Sequence, residues 1–162
     1  MFHIPWYSIL LMTIPQIFLI IKVGMRLFNL KINNRSCLLI SILAGCTVYF
    51  LRNVPITPGI HTVVTALIIT LLVVAFDKIN IGSALVSILL GFIIFGVIEG
   101  AWLPVFLKIT LSSINDLELH PWLNIIGFYP ILAVTIIIDV IIKSKNIILF
   151  DLQRLGPTNE KE

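Results

Sequence analysis

Four side chains near the ends of apolar stretches have the chemistry to bind a ligand in a membrane: Arg52, His61, Glu99 and Trp102. An ionisable group within a membrane span is costly unless it is paired or hydrated, so it marks a candidate site. We predict that the four line a ligand-binding pocket open to the outside. The alternative is that Arg52 and Glu99, which end successive stretches at similar depth, form only a structural tie. For His61 alone, a helix-end position is the simpler interpretation.

A second ionisable group, Asp139, lies near the opposite end of the last apolar stretch. Lys143 follows it by four residues, and Lys22 of the first stretch is expected at the same depth. An i,i+4 ion pair on a helix is sufficient to explain such a carboxylate. We therefore predict an ion pair at the inner face among Asp139, Lys143 and Lys22. A proton pump is not expected, because it would need acidic or His groups at mid-depth.

Catalytic, metal-binding and nucleic-acid-binding signatures are absent from the sequence. It has no GxSxG, HExxH, P-loop or paired-cysteine motif. Cys37 and Cys46 are interpreted as small packing residues of an apolar stretch. The basic residues lie at the ends of apolar stretches without interleaved aromatic residues, so no nucleic-acid partner is expected. The prediction is a protein without catalytic activity of its own, without a metal and without a cofactor.

Five long apolar stretches must position these residues. Hydrophobic residues make up 59% of the chain and charged residues 12%, with a mean hydropathy of +1.09, whereas soluble domains are about 45–50% apolar and about 25% charged. A helix needs about 20 residues to cross the hydrocarbon core. The predicted fold is an all-α, polytopic helix bundle over 1–142. Its five transmembrane helices are expected at 6–28, 37–51, 60–76, 81–100 and 122–142.

The basic residues predict the orientation of the bundle. If the spans alternate in direction, only Arg52 and Lys108 lie on one face, and the other nine of the eleven Lys and Arg residues lie on the opposite face. Those nine are Lys22, Arg26, Lys31, Arg35, Lys78, Lys143, Lys145, Arg154 and Lys161. Because cytoplasmic segments carry the excess of Lys and Arg, we expect the N-terminus outside and the C-terminus inside. We expect the protein to be a multi-pass protein of a bacterial cytoplasmic membrane.

Small residues and prolines predict local features of the spans. Small residues four apart let helices approach closely in lipid, which predicts a packing face on the fourth span. Pro15 and Pro130 predict kinks, and Pro104 predicts a break after which 101–113 lies along the outer surface. The predicted packing face comprises Ser83, Ser87, Gly91, Gly96 and Gly100.

The C-terminal region is predicted to leave the membrane as a helix. Apolar residues at Ile148, Leu152 and Leu155 form a helical stripe, which predicts a cytoplasmic amphipathic helix over 143–155. Gly156 and Pro157 should stop it, and 156–162 is expected to be a disordered tail.

One region resembles a known family. A short span ending in Arg52, the turn with Pro55, the Gly59-Ile60-His61 entry to the next span and Glu99 at the end of the following one resemble the membrane sensor domain of GHKL-type bacterial peptide-receptor histidine kinases. The resemblance covers residues 37–102 and its motif is short. It implies an extracytoplasmic sensor domain whose last span continues into a cytoplasmic helix. The sequence departs from that pattern after Leu155, where a dimerisation helix and ATPase domain would begin.

The predicted function is sensing or regulation without catalysis. A ligand at the outer face would shift helix packing, and a kinase-like partner protein would respond. The alternative is a substrate-binding subunit of a small-molecule transporter, which would bind an ATPase-like partner. The lipid bilayer surrounds the protein in both cases, and a homo-oligomer is compatible with either.

Overall fold

The computed structural model describes residues 6–52, 58–113, 116–117 and 120–152. The described helices are α1 (Trp6–Ser8), α2 (Ile14–Leu27), α3 (Asn34–Arg52), α4 (Pro58–Asp77), α5 (Ile81–Thr110) and α6 (Pro121–Lys145), with a π-helical turn, Ile9–Thr13, between α1 and α2. Five helical segments are long and apolar enough to cross a membrane. The predicted all-α bundle of five spans is therefore confirmed. The central part of the predicted turn around Pro55, 53–57, and the predicted tail at 156–162 lie outside the described residues.

Proline sets the local geometry of the first span. Pro15 has no N–H to donate to the carbonyl of Leu11, four residues earlier, so an α-helix cannot continue normally here. The helix widens just before the proline, and the Ile14 N–H donates to the carbonyl of Ile9 instead. Thr13, the last residue of this π-helical turn, is buried. Such turns are common at functional sites because they redirect side chains.

Helix α2 lies at the centre of the bundle. It packs against α3, α5 and α6, and Ile20, Ile21 and Met25 are almost completely buried. A Cβ atom added to Gly24 would clash with the Ser87 carbonyl of α5, since the two backbones are in contact. In lipid this close van der Waals contact, rather than the hydrophobic effect, holds helices together.

Helix α5 does not break at Pro104. Its 30 residues form one helix from Ile81 to Thr110, which at 1.5 Å per residue is about 45 Å long. The predicted surface segment at 101–113 is therefore largely the last part of this helix. Beyond the proline, Phe106 is buried and lies against Gly127 of α6. That contact, and the cost of exposing free backbone groups in lipid, favour continuation of the helix.

The segment after the last span is also different from the prediction. Helix α6 ends at Lys145, and Asn146 adopts the left-handed conformation with its N–H donating to the Ile142 carbonyl. The amphipathic helix predicted for 143–155 therefore ends at its third residue, and 146–152 does not continue the α-helix. Asn tolerates the left-handed conformation at a helix C-terminus. Asn146 was therefore a signal in the sequence that the helix ends here, and the prediction from the apolar stripe did not take it into account.

The chain beyond Asn146 turns back onto the first span. The Leu149 N–H donates to the Leu27 carbonyl at 2.8 Å, and the Leu152 N–H donates to the Phe28 carbonyl at 3.2 Å. The last carbonyls of a helix have no partner within the helix. The C-terminal segment, 147–152, thus supplies donors to the C-terminal end of α2.

Candidate functional site

A polar cavity lies between four helices beside the π-helical turn. Its volume is about 130 Å³. Polar side chains from the first span and from α4 face residues of α3 and α5 across it. We call it the His61 cavity, and its lining residues are Thr13, Gln16, Ile17, Ile20, Val48, His61, Thr62, Thr65 and Phe92.

The helices position the polar groups of the His61 cavity in pairs. Thr13 belongs to the turn widened by Pro15, and Gln16 follows one helical turn later. His61 and Thr65 are four residues apart on α4 and therefore share a face. The Thr65 hydroxyl donates to the His61 carbonyl at 2.8 Å, which leaves the oxygen lone pairs of that hydroxyl available as acceptors.

Two side chains of the cavity can serve a ligand directly. Among the described residues, neither the Gln16 carboxamide nor the His61 imidazole has a hydrogen-bond partner. A carboxamide offers two donors and an acceptor, and a neutral imidazole offers one of each. Apolar Ile17, Ile20 and Phe92 complete the walls. The cavity can therefore bind a small, partly apolar molecule that forms hydrogen bonds.

The size of the His61 cavity limits its occupant. A dry protein cavity of about 150 Å³ holds one benzene molecule, and this one is slightly smaller. One small molecule, one peptide side chain or a few waters would fit. A whole peptide would not.

Two other residues of the predicted outer pocket, Glu99 and Trp102, lie elsewhere. Glu99 and Trp102 line a separate cavity of about 40 Å³ between α5 and α6. The Trp102 indole N–H donates to the Gly127 carbonyl at 2.8 Å, so this side chain joins the two helices. Arg52 is the last residue of α3, and its side chain lies outside the described atoms. The structure thus brings Glu99 and Trp102 together and places His61 in another cavity, while the Arg52–Glu99 pair stays a prediction.

Four polar residues of the His61 cavity were not predicted from the sequence, namely Thr13, Gln16, Thr62 and Thr65. Single Thr and Gln residues in an apolar stretch do not by themselves indicate a site. Two signals were present: Thr13 and Gln16 flank Pro15, and Thr65 follows His61 by one helical turn. A proline flanked by polar residues indicates a place where a transmembrane helix can widen locally and where polar side chains can line a cavity.

The carboxylate of the predicted inner-face group has a different partner. Arg26 Nη1 lies 2.5 Å from Asp139 Oδ1 in an ion contact, and it donates to the Asp139 main-chain carbonyl at 3.3 Å. Among the described residues, neither of the two other predicted members forms an ion pair with Asp139: Lys22 lies over the Phe18 ring at 5.1 Å, and Lys143 is exposed. Packing explains why Asp139 pairs with Arg26: Val23 and Leu27, on either side of Arg26, pack against Ile142 of α6.

The predicted packing face of the fourth span divides into two parts. Ser87 and Gly91 are buried against α2, where a Cβ on Gly91 would clash with the Ile20 carbonyl. Ser83 is partly buried beside them, and its carbonyl accepts a hydrogen bond from the Ser87 hydroxyl. Gly96 and Gly100 are exposed, with no atom within 4 Å of an added Cβ. Within the described residues, the close helix contact is therefore limited to the first half of α5.

Metal-ligand chemistry has no visible basis in the described ranges. Across residues 6–52, 58–113, 116–117 and 120–152, no group of three or more His, Cys, Asp and Glu side chains could hold a metal ion. The His61 cavity has a single imidazole and no carboxylate among its lining residues.

Comparisons with known proteins identify no relative. The sequence matches no protein-family model, and neither the curated proteins nor the solved structures yield a match.

Proposed function

We propose that this protein is a non-catalytic membrane sensor or regulator, in which a small ligand in the His61 cavity alters helix packing and a partner protein responds. One observation carries the proposal: the first span borders the His61 cavity at one end and holds the C-terminal segment, 147–152, at the other. Thr13, Gln16, Ile17 and Ile20 line the cavity, and the Leu27 and Phe28 carbonyls accept hydrogen bonds from the segment.

The first span is suited to transmit a change. It is in contact with three neighbouring helices, and its backbone touches α5 at Gly24 and Gly91. Packed interfaces of this kind have discrete arrangements rather than continuous deformation. A ligand that favours one width of the π-helical turn would shift the register or tilt of α2. The hydrogen bonds at Leu27 and Phe28 would then change with it.

The side from which the ligand arrives follows from the charge distribution. The end of the bundle with Lys22, Arg26 and Lys143 would be cytoplasmic, so the His61 cavity would lie near the extracytoplasmic side. Sensing of an external molecule agrees with the resemblance of residues 37–102 to the sensor domains of peptide-receptor kinases. Because of the cavity size, such a peptide would insert one side chain only.

The transporter alternative has less support. An ATPase partner needs a docking surface formed by cytoplasmic loops, and the connection between α4 and α5 comprises only Lys78, Ile79 and Asn80. A partner of the sensor would instead contact the C-terminal segment, whose Ile148, Leu149 and Phe150 are exposed.

The experiment fills the cavity with a side chain in place of a ligand. Gln16→Phe should occupy the His61 cavity and change the hydrogen exchange of the Leu149 and Leu152 amides severalfold. The matched control is Ile93→Phe, which adds a similar ring at an exposed position of α5. Exchange is measured on the full chain in lipid nanodiscs. Equal exchange in wild type and Gln16→Phe, with the variant folded, would show that the cavity and the segment are not coupled.

A further inference from the structure

A third and larger cavity lies at the end of the bundle opposite the His61 cavity. Its volume is about 280 Å³, and it is lined by the C-terminal ends of α2 and α6, the turn between α2 and α3 and the start of the C-terminal segment. Among the described residues, four cationic side chains line it, namely Lys22, Arg26, Lys31 and Lys143, and no Asp or Glu does. We call it the basic cavity.

Among the described residues, only one of the four charges of the basic cavity is neutralised by a carboxylate. Asp139 forms an ion contact with Arg26 Nη1, so this pair is neutral, and the guanidinium retains further N–H donors. Lys22, Lys31 and Lys143 remain as positive charges around one cavity. Asn29, Asn34 and Asn146 add amide donors to the same lining. The ends of α2 and α6 contribute partial negative charge, but three full cations exceed it. Such a lining suits a phosphate group, which offers several strong acceptors.

A strip of apolar residues borders the basic cavity. Ile147, Ile148, Leu149 and Phe150 are each at least 41% exposed, and the first two also line the cavity. Their backbone is held against the first span through the Leu149 N–H. Four consecutive exposed apolar residues beside a cationic cavity fit the boundary between lipid headgroups and acyl chains. A free phosphate in water would gain nothing from contact with them.

We propose that the basic cavity binds the headgroup of an anionic phospholipid, whose acyl chains lie against Ile147–Phe150. Basic cavities between transmembrane helices on the cytoplasmic side are suited to anionic headgroups. The volume is about twice that of a cavity that holds benzene, which accommodates a phosphate with part of its glycerol. This site is separate from the His61 cavity and does not require the sensor function, although the acyl chains would lie against the exposed apolar residues, Ile148 to Phe150, that the partner protein proposed above would contact. A bound lipid would also join the first span to the C-terminal segment.

The test measures lipid binding to the full chain in detergent by native mass spectrometry. Dioleoyl phosphatidylglycerol should bind more tightly than dioleoyl phosphatidylcholine, which has the same chains and no net charge. Lys31 and Lys143 are exposed and lie outside the ion pair, so their substitution leaves the fold intact. Each lysine should contribute about fivefold to phosphatidylglycerol binding, so Lys31→Gln with Lys143→Gln should weaken it about 25-fold.

Two controls accompany this test: one for the position of the removed charges, and one for whether the bound phosphate belongs to a lipid or to a soluble anion. Lys108→Gln with Lys145→Gln removes the same charge from exposed positions that do not line the basic cavity and should leave binding within about twofold of wild type. Ile148→Gln should weaken the binding of phosphatidylglycerol and leave the binding of inorganic phosphate unchanged. Equal binding of the two lipids, an equal loss in the control pair, or displacement of phosphatidylglycerol by inorganic phosphate with no effect of Ile148→Gln would overturn the proposal. The last result would assign the cavity to a soluble anion.

Discussion

Arg26 and Asp139 join the first and last spans of the bundle, 113 residues apart in the chain. The guanidinium Nη1 lies 2.5 Å from the carboxylate and also donates to the Asp139 main-chain carbonyl at 3.3 Å. The two side chains are only 26% and 13% exposed. Because both partners are largely removed from water, each would be left as an uncompensated charge if the other were removed.

We expect either single substitution, Arg26→Met or Asp139→Leu, to lower the free energy of unfolding by about 3 kcal/mol. The double variant should lose less than the sum of the two, because an apolar pair of similar volume replaces the ion pair without leaving a charge. Chemical unfolding in micelles measures all three. Additive losses in the cycle would mean that the residues do not interact.

The backbone contact between α2 and α5 predicts unequal effects of glycine substitutions. Gly24→Ala and Gly91→Ala should each destabilise the protein by about 1–3 kcal/mol, since the added Cβ would clash with the main chain of the other helix. Gly96→Ala should be neutral or stabilising by up to about 1 kcal/mol, because open space surrounds it. Thermal unfolding of the three variants provides the comparison. A loss in Gly96→Ala as large as in Gly24→Ala would contradict the assigned packing face.

Trp102 is expected to stabilise the contact between α5 and α6. Trp102→Phe removes the donor to the Gly127 carbonyl while it retains an aromatic ring, and should lower stability by about 1 kcal/mol. Trp122→Phe is the matched control, since Trp122 is 60% exposed at the start of α6. Both are measured by thermal unfolding in the same detergent. If Trp102→Phe behaves like the control, the hydrogen bond does not contribute.

A carboxylate in the loop after α5 should titrate at low pH. Asp116 Oδ2 accepts hydrogen bonds from the Ser113 N–H at 2.7 Å and the Ser113 hydroxyl at 2.8 Å. These two bonds lower the pKa of Asp116 from its ordinary value of 3.8, and the main-chain bond has the larger effect. A lowered pKa means that the stabilisation of the loop is fully present above pH 3.8 and is lost as the pH falls through the folded pKa.

The carboxyl carbon chemical shift of Asp116 tests this directly. Its midpoint should lie below the ordinary value of 3.8, and Ser113→Ala should raise it part of the way, because the main-chain donor remains. The charge of the neighbouring His120 makes a smaller contribution that lowers the same pKa. A wild-type midpoint that is not below the ordinary value would exclude the hydrogen-bonded loop.

The charge distribution predicts which ends of the helices face the cytoplasm. In a Cys46→Ala background, where the remaining Cys37 is buried, Ser113→Cys should react with a membrane-impermeant maleimide in intact cells. Lys31→Cys should react only after lysis, since it lies at the opposite end of the bundle. Both positions are exposed, so access to the reagent depends on the side of the membrane. The reverse pattern would invert the proposed orientation.

The five spans follow from the sequence alone. In lipid every backbone N–H and C=O must be paired within the segment, so a long apolar stretch has to be a helix. This is why the first and last spans can be located within a few residues. Pro104 shows the limit of such local reasoning: a proline breaks a helix in water, yet α5 continues because lipid and the contact of Phe106 with Gly127 leave no better conformation.

The rotation of each helix about its axis was decided only by the tertiary structure. Lipid is as apolar as the protein core, so hydropathy does not distinguish a buried Ile from one that faces the membrane. The sequence therefore could not tell that Asp139 faces Arg26, that Gly91 is packed and Gly96 is not, or that His61 shares a cavity with Gln16. Those pairings depend on which faces meet when the five helices assemble, and van der Waals fit between distant segments selects them.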